Sequence, residues 1–570
     1  MTHDFKNLIL AIILSVVVLG GWQYFYEMPS RDRVIQANQM AQEAIVENQQ
    51  NELSMKADQP VSDEFCPENI GKIEINTSNL LGSISLQGLR FDNLLLKKYR
   101  ETISSDSALV RLFSNSAEQS YFAEFGWLNS LDNQTAPDKN SIWKCDREEL
   151  TTDTPVICYW KSPQKIHYIT KISIDNNYLF TVEQRVENRG DSNISVTGYG
   201  RLFKSYSEPK QFAILHEGAI GAFDDVIKEI TYEDLSKDGK ETFVNTRGSW
   251  AGFTDKYWLS AIVADDSVPS KTNFIASKAE KSINPHDVFN VNYITQEVTI
   301  SPGQSKVRVN KLFAGAKEEK LLSQYEEKNG LVLFDRSIDF GIFYFITKPL
   351  FILISYLYLL LGNFGFAIIA VTFLIKLAMY PLANKSFASM ARMKELQPRI
   401  EEIKKKCGDD KMKLNQEMMA LYKKEKINPA AGCLPLLIQI PVFFSLYKVI
   451  FISLEMRHAP FYGWIHDLSV QDPTSIINLF GLLPWGTFST LNIGLWPIIM
   501  GLTMFVQQKL SPAPTDPIQA NVMKFMPLLL IFMLYSLPAG LMIYWSFSNI
   551  LSIAQQYAIN RSSKRRTSKA

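Results

Sequence analysis

Polar side chains interrupt several apolar stretches of this sequence, and their types and spacing are suited to contacting a substrate inside a membrane. The clearest case is the stretch from Phe364 to Leu382, which carries a single charge, Lys376. Its nineteen residues are about the length needed to cross a bilayer. A charge at its centre costs roughly 2.5–3.5 kcal/mol on insertion scales, so Lys376 needs a physical reason to be there. Thr372 lies four residues earlier and shares the same helix face.

Two interpretations of Lys376 compete. In the first, its four-carbon stem carries the ammonium from near the helix end to the membrane interface. In the second, the ammonium lies in a wet pocket between helices and faces a passing substrate. The stretch alone favours the first interpretation, because Lys376 lies only about 9 Å along the axis from the helix end at 1.5 Å per residue.

Further polar groups lie in the later apolar stretches, at positions that would be inside a membrane. Gln439 and Lys448 lie in the next stretch together with two prolines, an unusual composition for a lipid-facing helix. The last stretch contains Ser546, Ser548 and Asn549. This set fits two classes of function: a transporter or channel, and a machine that handles polypeptide within the bilayer.

The sequence lacks the motifs of the common hydrolases and ATPases. It contains no Gly-rich phosphate loop, no H-E-x-x-H and no G-x-S-x-G. The six histidines are scattered, and no cysteine spacing resembles a zinc site. The sequence therefore predicts a protein that is not an enzyme and that uses no cofactor or metal.

The charges divide the chain into an acidic and a basic part. Residues 27–347 carry 35 Lys and Arg against 46 Asp and Glu, a net charge of −11. The other 249 residues carry 24 against 12, a net charge of +12. Because basic residues collect in cytoplasmic loops, this division predicts an external domain joined to an internal, membrane-bound part. Cys145 and Cys158 flank a short polar stretch and would form a disulfide if the compartment is oxidising, or otherwise remain two free thiols.

The first half of the chain predicts an anchor, a tether and a β-rich domain. Leu8–Phe25 is apolar and ends in an aromatic belt instead of a cleavage site, which predicts an uncleaved anchor in residues 1–27 with its N-terminus inside. Residues 28–64 are polar and predict a flexible tether. Between 65 and 335, short alternating runs such as Lys72–Asn76 and Asn193–Leu202 predict a large antiparallel β-sandwich. A helix is expected over Ala316–Glu327.

The second half alternates apolar stretches with polar loops. Residues 343–361 predict a helix along the outer interface, with a transmembrane helix as the alternative. Crossings are predicted at 364–382, 430–453 and 491–509, with an external loop at 454–490. The stretch after 519 divides at Pro538 into crossings at 519–537 and 539–559. This division keeps both flanking basic segments inside, so the chain would make six crossings with both termini cytoplasmic.

Two basic segments are expected to face the cytoplasm. Residues 383–429 hold 12 Lys and Arg against 7 Asp and Glu and predict a helical hairpin. Its methionines either adapt to partners or form a seam between the two helices. The methionines in question are Met390, Met393, Met412, Met418 and Met419. The tail, residues 560–570, has no acidic residue, and its basic side chains suit RNA phosphates. They include Arg561, Lys564, Arg565 and Arg566.

Four long motifs resemble those of a known family. They are TFLIKLAMYPL, QEMMALYKKEKINPAAGCLPLLIQIPVFFSLYKV, RHAPFYGWIHDLSVQDP and KFMPLLLIFMLYSLPAGLMIYWSFSNILSIAQQ. They resemble the YidC membrane protein insertases of Gram-negative bacteria, in the YidC/Oxa/Alb family, over about Phe343 to Tyr557. The resemblance implies a polytopic α-helical membrane protein of the bacterial inner membrane with a five-helix core and a periplasmic β-supersandwich domain. It also implies a hydrophilic groove that is open to the cytoplasm and to lipid but closed outward.

The resemblance also implies roles for particular residues. The groove would contain Lys376, Thr372, Gln439 and Ser546. The apolar segment of a client would slide into lipid past Leu437, Phe443, Leu529, Met533 and Tyr544. Members of the family usually carry arginine where this chain has Lys376, and lysine keeps the charge but lacks the planar donor fork. With the family in view, we prefer the groove interpretation of Lys376 and expect it to act as a point charge.

The expected function is insertion and folding of membrane proteins, alone or beside the Sec translocon, without nucleotide hydrolysis. The expected partners are nascent membrane proteins, the Sec translocon, the ribosome, the signal-recognition targeting machinery and the lipid bilayer, with no small-molecule substrate. The alternative is a small-solute transporter, which would predict paired inverted repeats. None is seen in the sequence.

Overall fold

The computed structural model describes residues 71–116, 120–129, 136–206, 215–278, 287–408, 410–425, 434–481, 492–511 and 517–567. The chain forms two compact units, Met1–Ile338 and Asp339–Ala570. The predicted anchor, residues 1–27, and the predicted tether, residues 28–64, lie outside the described residues.

The first unit is built from two sheets that are antiparallel, as the alternating runs predict, apart from the parallel pairing of the short β7 with β1. Strand β1 shows the period-two pattern directly, because Ile73 and Ile75 are buried while their neighbours are exposed. The strands are β1 (Lys72–Asn76), β2 (Leu80–Ser85), β3 (Arg90–Arg100), β4 (Leu109–Asn115), β5 (Ser120–Asn129), β6 (Lys144–Cys145), β7 (Glu149–Leu150), β8 (Val156–Lys161), β9 (Ile166–Ile174), β10 (Leu179–Asn188), β11 (Ile194–Tyr206), β12 (Gly218–Phe223), β13 (Val226–Thr231), β14 (Lys240–Val244), β15 (Trp250–Thr254), β16 (Trp258–Val263), β17 (Ser270–Lys278), β18 (Asp287–Thr295), β19 (Val298–Ile300) and β20 (Ser305–Ala316).

Two large sheets face each other and enclose the core of this unit. The 11-stranded sheet has the order β14-β17-β18-β11-β5-β4-β3-β2-β1-β7, with β19 beside β11, and the 9-stranded sheet has the order β13-β12-β15-β16-β20-β10-β9-β8-β6. Tyr121 of β5 joins them, since its hydroxyl contacts Ser260 of β16 and its ring packs edge-on against Phe253 of β15. The predicted β-sandwich is therefore confirmed.

In the described part of this unit, two α-helices accompany the sheets, α1 (Tyr232–Asp238) and α2 (Glu319–Asn329). Helix α2 begins three residues later than the predicted start at Ala316. Strand β20 continues to Ala316, which pairs with Trp258, so those residues are held in the sheet. Tyr325 of α2 packs edge-on against Phe313 and thereby attaches the helix to the core.

Cys145 and Cys158 form a disulfide, which settles the two alternatives left open by the sequence. They lie directly opposite each other on β6 and β8, at an edge of the 9-stranded sheet. Cys158 is fully buried. The bond holds the two-residue edge strand β6 just before the chain crosses to β7 in the other sheet. Such a bond persists in an oxidising compartment, of which the bacterial periplasm is one.

The second unit is helical in its described part. Its helices are α3 (Tyr344–Leu361), α4 (Phe364–Glu395), α5 (Gln397–Cys407), α6 (Lys411–Lys424), α7 (Leu434–Ile452), α8 (Leu495–Leu510), α9 (Pro517–Leu534) and α10 (Ala539–Thr567). Helices α4 and α8 pack along α10, α9 packs on α8, and α3 packs on α4 and α7. Helix α7 makes only limited contact with α4 and α10. Polar side chains from these three helices meet at this sparse contact.

Helix α4 differs in length from the prediction. The predicted crossing at 364–382 continues without interruption to Glu395, into the segment expected to be hairpin. Pro381 lies inside the helix and does not end it. The chain turns only at Leu396, two residues before Pro398, which opens α5 and is favoured in a first helical turn.

The helical hairpin predicted to face the cytoplasm is formed by α5 and α6. Leu396, Ile400 and Tyr422 form its buried seam, with Met393 and Met418 packed against it. These two methionines thus belong to the seam, the second of the two predicted roles. Met390 is half-buried on α4, whereas Met412 and Met419 are 77% and 52% exposed and remain available to partners.

The last two helices divide near Pro538, as predicted. Helix α9 ends at Leu534 and α10 begins at Ala539. Helix α10 then runs to Thr567, well past the predicted boundary at 559, so the basic tail continues the helix instead of following it. Among the described helices, α3 and α4 are long and apolar enough to cross a bilayer. The interfacial placement of α3 and the count of six crossings stay predictions.

Candidate functional site: a polar cluster among three helices

The centre of the candidate site is the ammonium of Lys376 on α4. Its Nζ donates to Ser552 Oγ of α10 at 2.9 Å and lies 3.5 Å from Gln439 Oε1 of α7. The side chain is partly buried, and within the described residues it pairs with no carboxylate. An ion of this kind attracts negative charge strongly, because water screens it less than it screens a surface ion.

Gln439 of α7 links Lys376 of α4 to Tyr544 of α10. Its Nε2 donates to the Tyr544 hydroxyl, and its Oε1 faces Lys376 Nζ. Ser552 in turn donates to the carbonyl oxygen of Ser548 on its own helix. The four side chains of Lys376, Gln439, Tyr544 and Ser552 thus form one hydrogen-bonded set, which we call the polar cluster.

Three members of the polar cluster lie at a similar depth. Lys376 is 12 residues after the start of α4, Ser552 is 13 after the start of α10, and Gln439 is 13 before the end of α7. At 1.5 Å per residue, each is roughly 18–20 Å from the helix end that adjoins the predicted external side. A hydrocarbon core is about 30 Å thick, so the cluster would lie inside it, on the cytoplasmic side of its middle.

Thr372 and Ser546 were predicted in the same groove, and their hydroxyls do not take part in the hydrogen bonds of the polar cluster. Thr372 donates to the Ile368 carbonyl oxygen at 2.7 Å, and Ser546 donates to the Met542 carbonyl oxygen at 2.8 Å. Both side chains are buried, at 1% and 0% exposure. Hydroxyls in helices readily bond the carbonyl four residues back, and here they are satisfied by their own helix instead of by the polar cluster.

Sequence reasoning missed Ser552, although a signal was present. Ser548, Ser552 and Gln556 recur every four residues along α10 and therefore share a face. Gln556 is 2% exposed, and among the described residues its Oε1 has no hydrogen-bond partner. Nε2 of Gln555 and Oδ1 of Asn384 on α4 are buried atoms that also lack a partner there. Buried polar atoms require a partner, so this end of the site suits water or a polar polypeptide.

Lys448 and Asn549 are polar groups of a different kind. Lys448 Nζ forms an ion pair with Asp339 Oδ2 at 2.6 Å, just before α3. Asn549 Nδ2 donates to Thr503 Oγ1 at 3.1 Å and so connects α10 to α8. Both residues hold helices together and lie apart from the polar cluster.

The apolar side chains predicted to contact a sliding client differ in their exposure. On α9, Leu529 and Met533 are 53% and 62% exposed. Phe443 of α7 is half-buried against the ring of Trp545, with ring centroids 4.7 Å apart. The side chain of Leu437 lies outside the described residues.

Tyr544 does not lie on the exposed apolar surface for which it was predicted. It is only 2% exposed, because its hydroxyl is bonded to Gln439 inside the bundle. Tyr544 therefore belongs to the polar cluster. On α7, the described apolar side chains that are exposed are Ile438, Ile440 and Phe444.

Comparisons with known proteins give matches to both units of the chain. Residues 356–567 match the family model described as 60Kd inner membrane protein, and residues 72–353 match the model of the YidC periplasmic domain. The chain is 47% identical over 565 residues to the membrane protein insertase YidC of Rickettsia canadensis (strain McKiel), covering 98% of this chain and 100% of that protein. A relative of the same name from Rickettsia bellii (strain OSU 85-389) is 47% identical over 567 residues, covering 99% and 100%. A crystal structure of an active YidC insertase with its first transmembrane domain resolved is similar at 18% identity and a TM-score of 0.36, covering 86% of this chain and 94% of that one.

The two matching family models cover both units of the fold. One describes an inner membrane protein and covers most of the helical unit; the other describes a periplasmic domain and covers the β-sandwich and the first half of α3. Together with 47% identity over nearly the full length of curated relatives, they show that this chain belongs to the YidC family of membrane protein insertases.

Proposed function

We propose that this chain inserts and folds nascent membrane proteins in the inner membrane by way of the polar cluster. The position of the Lys376 ammonium supports this proposal most directly. It is partly buried among α4, α7 and α10, and no carboxylate in the described residues neutralises it. A charge held at membrane depth without a counter-ion has an energetic cost, which an incoming acidic or polar segment would offset.

The proposed mechanism follows from the solvation of the client. Each unsatisfied backbone group in hydrocarbon costs several kcal/mol, which opposes transfer of a polar external tail. The tail would rest beside Lys376, Gln439 and Ser552, where hydrogen-bond donors and acceptors are available. Part of the path through the membrane would then be polar, and the barrier to transfer would fall.

The apolar segment of the client would take a different path. Helices α7 and α9 expose large apolar side chains that would face lipid: Ile438, Ile440, Phe444, Phe525, Leu528, Leu529, Phe532 and Met533. The segment would slide along these surfaces into the bilayer. Its partition into lipid, and the membrane potential acting on charges in the tail, would drive the step without nucleotide hydrolysis.

The cytoplasmic partners are proposed from the basic hairpin and tail. The side chains of Met412 and Met419 are exposed on α6 beside lysines. This surface is suited to adaptable contacts with the signal-recognition targeting machinery. We also propose a multi-pass arrangement with both termini in the cytoplasm and work beside the Sec translocon. These assignments rest on charge and on family resemblance.

The tail gives a direct prediction for ribosome binding. Replacing Arg561, Lys564, Arg565, Arg566 and Lys569 with Gln should weaken co-sedimentation of the protein with ribosomes. The defect should be largest at low salt, because binding to RNA phosphates releases counter-ions and weakens as salt rises. Binding that is equal to wild type at every salt concentration would exclude the tail as a ribosome contact.

The transporter alternative has lost its support. Relatives that match nearly the full chain are insertases by name, and no inverted repeat is evident in the sequence.

Reconstitution tests the proposed function directly. Liposomes containing the purified chain alone should insert a small single-span client, measured as protection of its external tail from added protease. Liposomes with an equal amount of heat-inactivated protein are the control. Equal protection in both would reject insertion by this chain alone.

A further inference from the structure

The segment between α7 and α8 covers the external ends of the helices. Ile465 and Leu468 are fully buried, and the ring of Phe461 packs so closely on Gly365 at the start of α4 that a Cβ there would lie 2.0 Å from it. Ala539 N donates to Val470 O at 2.7 Å and Gly540 N to Leu468 O at 3.1 Å. The described residues 454–475 therefore attach to the starts of α4 and α10, and we call them the external cap.

One buried carboxylate fastens the external cap to α8. Asp472 is 1% exposed. Its Oδ1 accepts hydrogen bonds from Trp464 Nε1 at 3.0 Å and from the backbone N and Oγ1 of Thr474 at 3.0 and 2.6 Å. Its Oδ2 accepts from Trp496 N at 2.8 Å. The carboxylate thus joins the cap to a free N–H in the first turn of α8, where negative charge is favoured.

The surroundings of Asp472 are shaped to hold it. Thr474 Oγ1 accepts from Leu495 N at 2.9 Å, which satisfies a second N–H of the same turn. Gly494 lies so close that a Cβ would be 2.5 Å from the Asp472 side chain. The close approach and the four donated bonds leave little freedom for this carboxylate.

We propose that Asp472 is a positioning residue that keeps the external cap closed over the polar cluster. The cap lies at the external helix ends, whereas Lys376, Gln439 and Ser552 lie 12 or 13 residues further along their helices. Any path from the outside along α4 and α10 to Lys376 passes the cap. This inference rests on the proposed function, since a seal matters only if the cluster is open to the cytoplasm.

Asp472→Asn is the informative substitution. The amide is nearly the same size, but its Nδ2 is a donor. If Nδ2 replaces Oδ2, the hydrogen bond from Trp496 N is lost; if it replaces Oδ1, the bonds from Thr474 are lost. At least one charge-assisted bond is lost, and such a bond corresponds to about tenfold or more in an equilibrium constant. The cap should therefore detach from α8 more often.

Asp467→Asn is a matched control in the same segment. Asp467 is also buried, at 5% exposure, but its Oδ1 accepts from the N and Oγ of Ser469, two residues away, and from no other residue that the structure describes. Its substitution perturbs a local turn without affecting a contact with α8.

The test measures access to the cluster from each side of the membrane. Ser552→Cys is introduced into the full chain with Cys66, Cys407 and Cys433 replaced by Ser, and is labelled with a membrane-impermeant maleimide. Labelling from the cytoplasmic side should be present in all variants. Labelling from the external side should be slow in the parent and in Asp467→Asn, and about tenfold faster in Asp472→Asn.

Each outcome has a defined meaning. External labelling of Asp472→Asn at the parental rate, with cytoplasmic labelling intact, overturns the role of Asp472. An equal rise with Asp467→Asn also overturns it, since any damage to the cap would then suffice. Absence of cytoplasmic labelling in the parent instead contradicts the open cluster of the proposed function. If Asp472→Asn does not accumulate, Trp464→Phe removes one donor at constant charge and should raise external labelling by a smaller factor.

Discussion

Lys376→Glu should nearly abolish insertion of clients that have acidic external tails. The substitution replaces an attraction with a repulsion in a site that water screens less than a surface. Two unit charges about 8 Å apart interact by about 2 kcal/mol at an effective dielectric constant of 20. Reversal of the sign therefore changes the barrier by about twice that amount, which corresponds to roughly a thousandfold in rate.

The other substitutions at Lys376 should impair insertion less than Lys376→Glu, and Lys376→Arg should impair it least. Lys376→Arg should be tolerated, because the charge is kept and the stem is similar in length. Lys376→Ala should slow acidic-tailed clients by about tenfold or more through loss of the attraction. Clients with neutral tails should be affected much less by all three changes. The measurement is insertion across a series of clients that differ only in tail charge, corrected for the amount of insertase.

Lys385→Glu is the matched control for this series. Lys385 is exposed on the same helix, nine residues after Lys376, and takes no part in the polar cluster. Its reversal should leave the dependence on tail charge unchanged. Equal defects at Lys376 for acidic and neutral tails would reject the role of the groove charge, and a harmless Lys376→Ala would support a lysine that only reaches to the interface.

Removal of the Cys145–Cys158 disulfide should destabilise the β-sandwich. A cross-link with a sequence separation of 13 residues typically contributes about 2–4 kcal/mol, largely by restricting the unfolded chain. For a domain of this size, the loss would lower Tm by roughly 5–10 °C. The double change to Ala should show this shift in calorimetry of the full chain, and wild type treated with a reductant should show it too.

Cys407→Ala serves as the control for that experiment. Cys407 is a free thiol in the hairpin, so its removal should not shift the transition of the β-sandwich. An unchanged Tm in the double variant and in reduced wild type would show that the cross-link does not stabilise the folded domain.

Much of the architecture could be predicted from the sequence because the patterns are local. Alternation in Lys72–Asn76 identifies a strand, and Pro538 identifies the division between α9 and α10. The end of α4 was missed, because Pro381 suggested a boundary but is accommodated within the helix. The sequence left the disulfide open against two free thiols, since the bond depends on the register that places β6 opposite β8.

The site was predicted in part. Charge and amide groups in apolar stretches pointed to Lys376 and Gln439, whose polar atoms lie 3.5 Å apart in the structure, because such groups need polar partners wherever they lie in a membrane. Hydroxyls gave no such guidance: Thr372 and Ser546 are satisfied by their own helix backbone. Periodicity also could not reveal that Tyr544 turns inward, because this depends on its bond to Gln439 on another helix.

We expect a client to leave the polar cluster along α7 and α9. Photo-cross-linking of a stalled single-span nascent chain tests it, with the cross-linker placed in the insertase at Phe444, Leu529 or Met533, and at Tyr356 or Leu359 of α3 as the control. The control positions are 60% and 70% exposed and equally apolar, so non-specific contact would label them as well. We expect adducts from α7 and α9 and few from α3; equal labelling of α3, or labelling of α3 alone, would contradict this path.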